Sequence, residues 1–164
     1  MKFDMVRNSL ELSNKDFNEY AAIFIGGGNT FKLLKDLKEY SNWDKILNND
    51  EVIFAGSAGV IVFGKDINSA LIDDGNDVNI CDLSGFNYLN DYSILCRLKE
   101  SHFNKNEEDL KSYSKKFKTL YMPEEDVILI SNNEIKMIGD KDIVIFDYDI
   151  FYTHTCVEFK NDFN

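Results

Sequence analysis

The sequence predicts one α/β domain in which helices cover both faces of a mostly parallel β-sheet, a three-layer arrangement. Two stretches carry this prediction, because each joins an apolar strand to a helix through a turn of small residues: YAAIFIGGGNTFKLL (20–34) and EVIFAGSAGVIVFG (51–64). Consecutive strand–turn–helix units favour parallel strands covered by helices. The chain has 164 residues, 44% of them hydrophobic, and no linker-like segment. We therefore expect a single domain over residues 1–164.

The other elements are predicted from local spacing. A helix is expected after the three glycines, because Phe31, Leu34 and Leu37 recur at helical spacing and Asn29 or Thr30 is placed to cap its start. A short helix is predicted for WDKILNND (43–50) and a buried strand for YSILC (92–96). A helix with acids first and lysines last is predicted for NEEDLKSYSKKFKTL (106–120). A C-terminal β-hairpin around two asparagines is predicted for EEDVILISNNEIKMIG (124–139), and further β-rich sequence for DIVIFDYDIFYTHTCVEF (142–159).

Charge and cysteine content narrow the class of protein. The formal net charge of -11 argues against nucleic acid and against an anionic membrane surface as partners. The three cysteines, Cys81, Cys96 and Cys156, are an odd number without metal-ligand spacing, which fits a reducing compartment. No segment has the length of a membrane span or the apolar core of a signal peptide. We expect a cytoplasmic protein without metal or cofactor.

Ser57 lies in FAGSAGV (54–60), a run of small residues between an apolar strand and an apolar helix. This pattern is typical of a nucleophile elbow, a tight turn that lifts a serine hydroxyl clear of the sheet. Small neighbours are needed because a bulky side chain would clash in so sharp a turn. The turn would also direct the N–H of Ala58 at a developing oxyanion. A small-residue turn without a catalytic role has the same pattern.

Residues 26–28, three consecutive glycines, open the other strand-to-helix turn. One interpretation is an anion-binding loop at a helix N-terminus. The lysine of a P-loop is absent, however, and the third glycine of a dinucleotide-binding motif is replaced by Phe31. The second interpretation is an oxyanion-binding loop, because neighbouring parallel strands bring their carboxyl ends to the same edge of the sheet as Ser57.

Four stretches together resemble the peptidase E family of cytoplasmic serine peptidases: IFIGGGNTFKLL (23–34), VIFAGSAGVIVFGKDI (52–67), GFNYLNDYSILC (85–96) and YMPEEDVILI (121–130). Members of this family are aspartyl dipeptidases, are related to cyanophycinases, and have a class I glutamine amidotransferase-like fold. The resemblance covers about residues 20–139. It implies that the chain hydrolyses short, acidic peptides with an N-terminal aspartate, without a cofactor.

The resemblance also implies roles for the residues of the two turns. Ser57 matches the nucleophile in the S-A-G turn. The N–H groups of Ala58 and of Gly27 or Gly28 match the donors of the oxyanion hole. Asn29, in the same loop as the glycines, is expected to contact the substrate.

The remaining catalytic positions match less closely. Asp73 or Asp74 falls where the family has an aspartate needed for activity, and Glu124 matches the glutamate that orients the catalytic histidine. The family's histidine directly follows the strand matched to YSILC, where this chain has Arg97. His102, a few residues later, keeps the histidine–aromatic pair and is the candidate base.

Arg97 leaves three functional alternatives open, because an always-charged guanidinium cannot accept the proton of the serine. With His102 as base, the chain is a peptidase, and Arg97 is then a candidate cation for the acidic substrate. Without a base, the chain is a catalytically degenerate binding module. The kinship with cyanophycinases also allows hydrolysis or amide transfer on another acidic amide.

The segment before the first predicted strand is short, about twenty residues, whereas relatives of this family carry further strand–helix units there. We therefore expect that this chain lacks the first strand–helix units of the family. A parallel sheet without its early strands exposes an edge or an apolar face. A partner subunit, as in a homodimer, is one way to cover it.

Overall fold

The computed structural model describes residues 3–48, 51–96, 115, 118–131, 134–141, 143–147 and 150–154. Along these residues the α-helices are α1 (Ser9–Ser13), α2 (Thr30–Lys38), α3 (Asn42–Leu47) and α4 (Ala58–Ile61). The strands are β1 (Ala22–Ile25), β2 (Val52–Ala55), β3 (Tyr92–Cys96), β4 (Lys118–Met122), β5 (Val127–Ser131), β6 (Glu134–Ile138), β7 (Ile143–Asp147) and β8 (Ile150–His154). Short 3-10 helices cover Phe17–Glu19, Glu39–Ser41 and Asn68–Ile72.

Strands β1 and β2 form a parallel pair, as the repeated strand–turn–helix pattern predicts. Ala22 is opposite Val52 and Ile25 is opposite Ala55, so the two strands end at the same level. Helices α2 and α3 lie between them in the chain and supply the crossover that a parallel pair requires. The turns that follow β1 and β2 therefore leave the same end of the pair.

Helix α2 forms where the spacing of apolar residues predicts it. Phe31, Leu34 and Leu37 are all buried. Asn29 is the N-cap, since its side-chain oxygen accepts a hydrogen bond from the Lys32 N–H at 2.9 Å. This bond satisfies one of the N–H groups that the first turn of a helix leaves without an acceptor.

The expectation of a mostly parallel sheet is wrong for the described strands, which are mixed. Strand β3 pairs with β4 in parallel, but β4–β7, β7–β8 and β5–β6 are antiparallel pairs. For β5–β6 and β7–β8 the reason is the spacing along the chain. Only two residues separate β5 from β6 and β7 from β8, which is too few for the crossover between parallel strands.

The helix prediction over residues 106–120 is wrong for its last three residues. Lys118–Met122 is instead β4, with Leu120 fully buried opposite Ile94 of β3. Packing of Leu120 in the core outweighs the local helical pattern at these positions. Residues 106–114, 116 and 117 lie outside the described residues.

The hydrophobic core gathers one face of β1–β2 with the helices and with β3, β4 and β7. Its fully buried side chains include Phe31, Leu34, Ile46, Ile94, Leu120 and Ile145. The opposite face of β1–β2 is uncovered: Phe24, Val52 and Phe54 are 74%, 57% and 58% exposed. Among the described residues, the pair β1–β2 is therefore covered on one face, where helices on both faces were expected. Every described helix is too short or too polar to cross a membrane.

Candidate active site

Ser57 stands in a strained turn between β2 and α4. Its φ of 55° and ψ of -118° lie in a region that residues with a Cβ rarely adopt, at a cost of about 1–3 kcal/mol. Hydrogen bonds on both sides hold the turn in place. The N–H of Gly56 donates to the carbonyl of Ile25 at 3.0 Å, and the N–H of Val60 donates to the carbonyl of Ser57 at 2.9 Å.

The small residues after Ser57 let α4 dock directly on β1. A Cβ added to Gly59 would lie 2.2 Å from the carbonyl oxygen of Ile25, so only glycine fits at this contact. Ala58 is also buried, with 1% of its surface exposed. Ala58 begins α4, and the N–H groups of a first helical turn have no acceptor within the helix.

The glycine loop (residues 26–28) reaches the same place from β1. A Cβ added to Gly27 would lie 3.2 Å from the Cβ of Ser57 and 3.4 Å from its Oγ. Gly28 has a φ of 133°, which favours glycine, and an added Cβ would meet no atom within 4 Å. The structure thus brings together Ser57, Ala58 and the glycine loop, which the sequence assigned to one site.

Asp74 fixes the start of α2, and so the end of the glycine loop. Its Oδ2 accepts hydrogen bonds from the N–H of Thr30 at 2.8 Å and from the Thr30 hydroxyl at 2.7 Å. Asn29 adds a second tie, because its side-chain amide donates to the carbonyl of Gly75 at 2.8 Å. Of the two aspartates considered from sequence, Asp74 contacts the first residue of α2, whereas Asp73 is exposed.

The remaining predicted site residues are Glu124, His102 and Arg97. Glu124 lies exposed in the turn between β4 and β5. His102 and Arg97 lie outside the described residues, so their roles stay predictions. Within the described part of the chain, no group of three or more histidine, cysteine or acidic side chains is arranged to hold a metal ion.

Sequence reasoning missed a cavity of about 590 Å³, here called the N-terminal cavity. It is bounded by residues 4–8, β1, the glycine loop and α2. Asp4 lies at its wall and contacts Lys15 Nζ at 2.9 Å and the Tyr20 hydroxyl at 2.6 Å. The hydrogen bond with Asp4 is the main cause that raises the pKa of both Lys15 and Tyr20. No local motif marks these residues, because they meet only through the fold.

Asp66 is a further residue that no sequence motif indicated. It is buried, and its Oδ2 accepts a hydrogen bond from the Ser93 hydroxyl at 2.7 Å. Its Oδ1 accepts from the N–H of Asn68 at 2.8 Å. Asp66 thereby ties the segment after α4 to β3, the strand that precedes Arg97.

Comparison with known proteins assigns the family. The model of peptidase family S51 matches residues 4–145. The chain belongs to peptidase family S51. The resemblance to peptidase E that the sequence motifs indicated is thereby confirmed. No curated protein matches the chain.

Two solved structures resemble this S51 chain. One is a candidate peptidase E from Listeria monocytogenes EGD-e, with a TM-score of 0.55, 19% identity, and 91% of this chain covered. The other is a peptidase from an acI-B1 actinobacterium, with a TM-score of 0.62, 18% identity and the same coverage. At these identities the likeness shows the fold. The chain spans 66% and 64% of the two structures' own lengths.

Proposed function

We propose that this S51 chain is a serine peptidase of the peptidase E kind, which hydrolyses short peptides that carry an N-terminal aspartate. The observation that carries the proposal is the backbone of Ser57, at a φ of 55° and a ψ of -118°, directly beside Gly27. A turn without catalytic function gains nothing from this strain, whereas a nucleophile elbow uses it to present the serine hydroxyl.

In the proposed reaction, Ser57 Oγ attacks the carbonyl carbon of the scissile peptide bond while His102 takes the hydroxyl proton. The carbonyl oxygen becomes an oxyanion, which accepts hydrogen bonds from the N–H of Ala58 and from the N–H of Gly27 or Gly28. When the intermediate collapses, the C–N bond breaks and His102 returns the proton to the leaving amine. Water then hydrolyses the acyl-enzyme by the same route.

Other residues prepare the site. Glu124 orients His102, and Asp74 keeps the glycine loop in position through Thr30. Arg97 is proposed to attract the acidic substrate, since a chain with a net charge of -11 repels it elsewhere. Asn29 is proposed to contact the substrate, although its amide nitrogen already donates to the carbonyl of Gly75 and its amide oxygen accepts from the N–H of Lys32.

Turnover of an aspartyl dipeptide tests this function. We expect the wild type to release leucine from L-aspartyl-L-leucine, and Ser57→Ala and His102→Ala each to lose that activity. Ser131→Ala is the matched control, because Ser131 is an exposed serine at the end of β5. Wild-type protein that cleaves no aspartyl dipeptide, or Ser57→Ala protein that still does, would contradict the proposal.

A second candidate function is binding without turnover. Arg97 at the family's histidine position favours it, because the site then lacks a base there. In that case the same dipeptide binds to the wild type and to Ser57→Ala with equal affinity and is released intact.

A further inference from the structure

We propose that the N-terminal cavity binds a carboxylate group of the substrate and that Arg7 is the residue that recognises it. This inference rests on the proposed function for its choice of ligand. It adds a binding residue from a segment that none of the family motifs covers. The chemistry it names is a carboxylate on a short peptide, either the aspartate side chain or the C-terminal carboxylate.

The wall that carries Arg7 is fixed at both ends. At one end, Asp4 is held by Lys15 and by the Tyr20 hydroxyl. At the other end, the amide of Asn42 donates to the carbonyl of Ser9 at 2.9 Å. Residues 5–8 therefore span the cavity between two anchored points, which keeps this wall in place.

The backbone of Arg7 is itself positioned. Its N–H donates to a carboxylate oxygen of Glu11 at 2.9 Å, and Asn8 caps α1 by accepting from the N–H of Glu11 at 2.9 Å. These bonds set the direction in which the chain leaves Arg7. The Arg7 side chain is exposed and lines the cavity.

The charges of the lining favour an anion at Arg7. The charged side chains at this surface are Arg7, Lys15, Lys32, Asp4 and Asp36. Lys15 pairs with Asp4 at 2.9 Å, and Lys32 pairs with Asp36 at 2.5 Å. Among the described residues, no carboxylate forms an ion pair with the Arg7 guanidinium. Within the described lining, Arg7 is thus the cation without an ion-pair partner, and the carboxylate of Glu11 is bonded to its backbone N–H.

The size and position of the cavity fit a small peptide. Its volume of about 590 Å³ lies within the range of small-molecule sites, roughly 300–1,000 Å³. The glycine loop is part of its lining, and Gly27 of that loop adjoins Ser57. Ser57 itself does not line the cavity, so in the proposed pose a peptide with its carboxylate at Arg7 crosses the glycine loop to reach the serine. A guanidinium suits this task because its planar fork donates two parallel hydrogen bonds to a carboxylate.

The test measures binding by calorimetry to Ser57→Ala protein, which cannot form the acyl-enzyme. The probes are L-aspartyl-L-leucine, its C-terminal amide and L-asparaginyl-L-leucine. We expect Arg7→Ala, added to Ser57→Ala, to weaken Kd for L-aspartyl-L-leucine at least about tenfold, the effect of losing a hydrogen bond to a charged group. Arg7→Lys should lose less. Lys35→Ala is the matched control, because Lys35 is an exposed cation of α2 outside the cavity.

The probes identify which carboxylate is bound. If Arg7 binds the aspartate side chain, the Arg7→Ala loss persists with the amide and vanishes with the asparaginyl peptide. If it binds the C-terminal carboxylate, the loss persists with the asparaginyl peptide and vanishes with the amide. Either pattern supports the inference. Equal affinities for Arg7→Ala and Lys35→Ala, a loss found with Arg97→Ala instead, or no binding of any probe would overturn it.

The inference and the proposed function fail separately. Arg7-dependent binding to a wild type that cleaves no dipeptide overturns the peptidase and leaves the carboxylate site. Turnover that depends on Ser57 but is unchanged by Arg7→Ala overturns the carboxylate site and leaves the peptidase.

Discussion

Gly27 lies directly against Ser57: a Cβ added to Gly27 would be 3.2 Å from the Cβ of Ser57 and 3.4 Å from its Oγ. The two residues come from turns 30 positions apart in the chain, at the same end of the parallel pair β1–β2. The absent side chain of Gly27 is what leaves space next to the serine hydroxyl, where the substrate carbonyl must sit in the proposed reaction.

Gly27→Ala should therefore reduce catalysis without unfolding the protein. The added methyl group would lie 3.2 Å from the Cβ of Ser57, so the serine must shift by a few tenths of an ångström, and a misplacement of about 1 Å costs on the order of 10²-fold in rate. We expect kcat/KM for L-aspartyl-L-leucine to fall by up to about that factor, with a change of less than about 1 kcal/mol in the free energy of unfolding.

Gly28→Ala tests backbone strain in the same loop, at the other candidate oxyanion donor. Its added Cβ meets no atom within 4 Å, but the φ of 133° is strained for alanine. We expect it to lower the free energy of unfolding by about 1–3 kcal/mol without crowding Ser57. Urea unfolding and dipeptide turnover, measured on both variants, check these two predictions. If kcat/KM of Gly27→Ala equals that of the wild type, the added methyl group does not disturb Ser57.

Gly59→Ala should destabilise the fold, because its Cβ would lie 2.2 Å from the backbone oxygen of Ile25. Neither backbone can yield without moving α4 away from β1. We expect a loss of about 1–3 kcal/mol in the free energy of unfolding, the usual cost of overpacking. Gly75→Ala is the control, since its Cβ would meet only the mobile end of the Asp77 side chain at 3.1 Å. Equal urea midpoints for the two variants would contradict the close contact.

Asp74→Asn should loosen the start of α2, whereas Asp73→Asn should not. Asp74 accepts two hydrogen bonds from Thr30, and Asp73 is exposed. Hydrogen bonds to a charged acceptor contribute about 1.5–3 kcal/mol, and the amide retains part of this. We expect Asp74→Asn to lower both the free energy of unfolding and turnover, with faster hydrogen exchange at Thr30. If Asp73→Asn has the larger effect, the assignment of Asp74 as the positioning aspartate is wrong.

Asp82 should titrate far below an ordinary aspartate. The hydrogen bond from Lys38, at 2.6 Å, and further bonds from Ser84 lower its pKa to about 2. Because the pKa is lower in the folded state, the pair stabilises the fold above about pH 4, and this contribution is lost as the pH falls toward 2. The Asp82 side chain is 66% exposed, so solvent screening keeps the contribution below about 1 kcal/mol.

Carboxyl NMR titration of wild type and Lys38→Met measures this directly. The wild-type midpoint should lie near 2, and Lys38→Met should move it up toward the ordinary value. Lys35→Met, on the same helix, should leave the midpoint unchanged. An Asp82 midpoint near 4 in the wild type would show that the ion pair does not form in solution.

The sequence identified the parts of the site that depend on local geometry. A tight strand-to-helix turn needs small residues, so FAGSAGV and GGGN could be found from their composition alone. Helix α2 was equally predictable, because its cap and its apolar spacing both lie within ten residues. In each case the physical requirement is met by neighbours in the chain.

Features set by distant contacts could not be found in this way. The first three residues of β4 have a local helical pattern, and pairing with β3 and β7, both outside the local window, makes them extended. The wall of the N-terminal cavity depends on Asp4 reaching Tyr20 and on Ser9 reaching Asn42. Nothing in the spacing of these residues indicates that they meet.

Labelling with a serine-reactive phosphonate tests most directly whether Ser57 is an activated nucleophile. Intact-mass analysis and peptide mapping should find one phosphonate adduct on wild-type protein, at Ser57. The adduct should be retained in Ser131→Ala and absent in Ser57→Ala. Wild-type protein that forms no adduct, or an adduct that persists in Ser57→Ala, would contradict the assignment of Ser57 as the catalytic nucleophile.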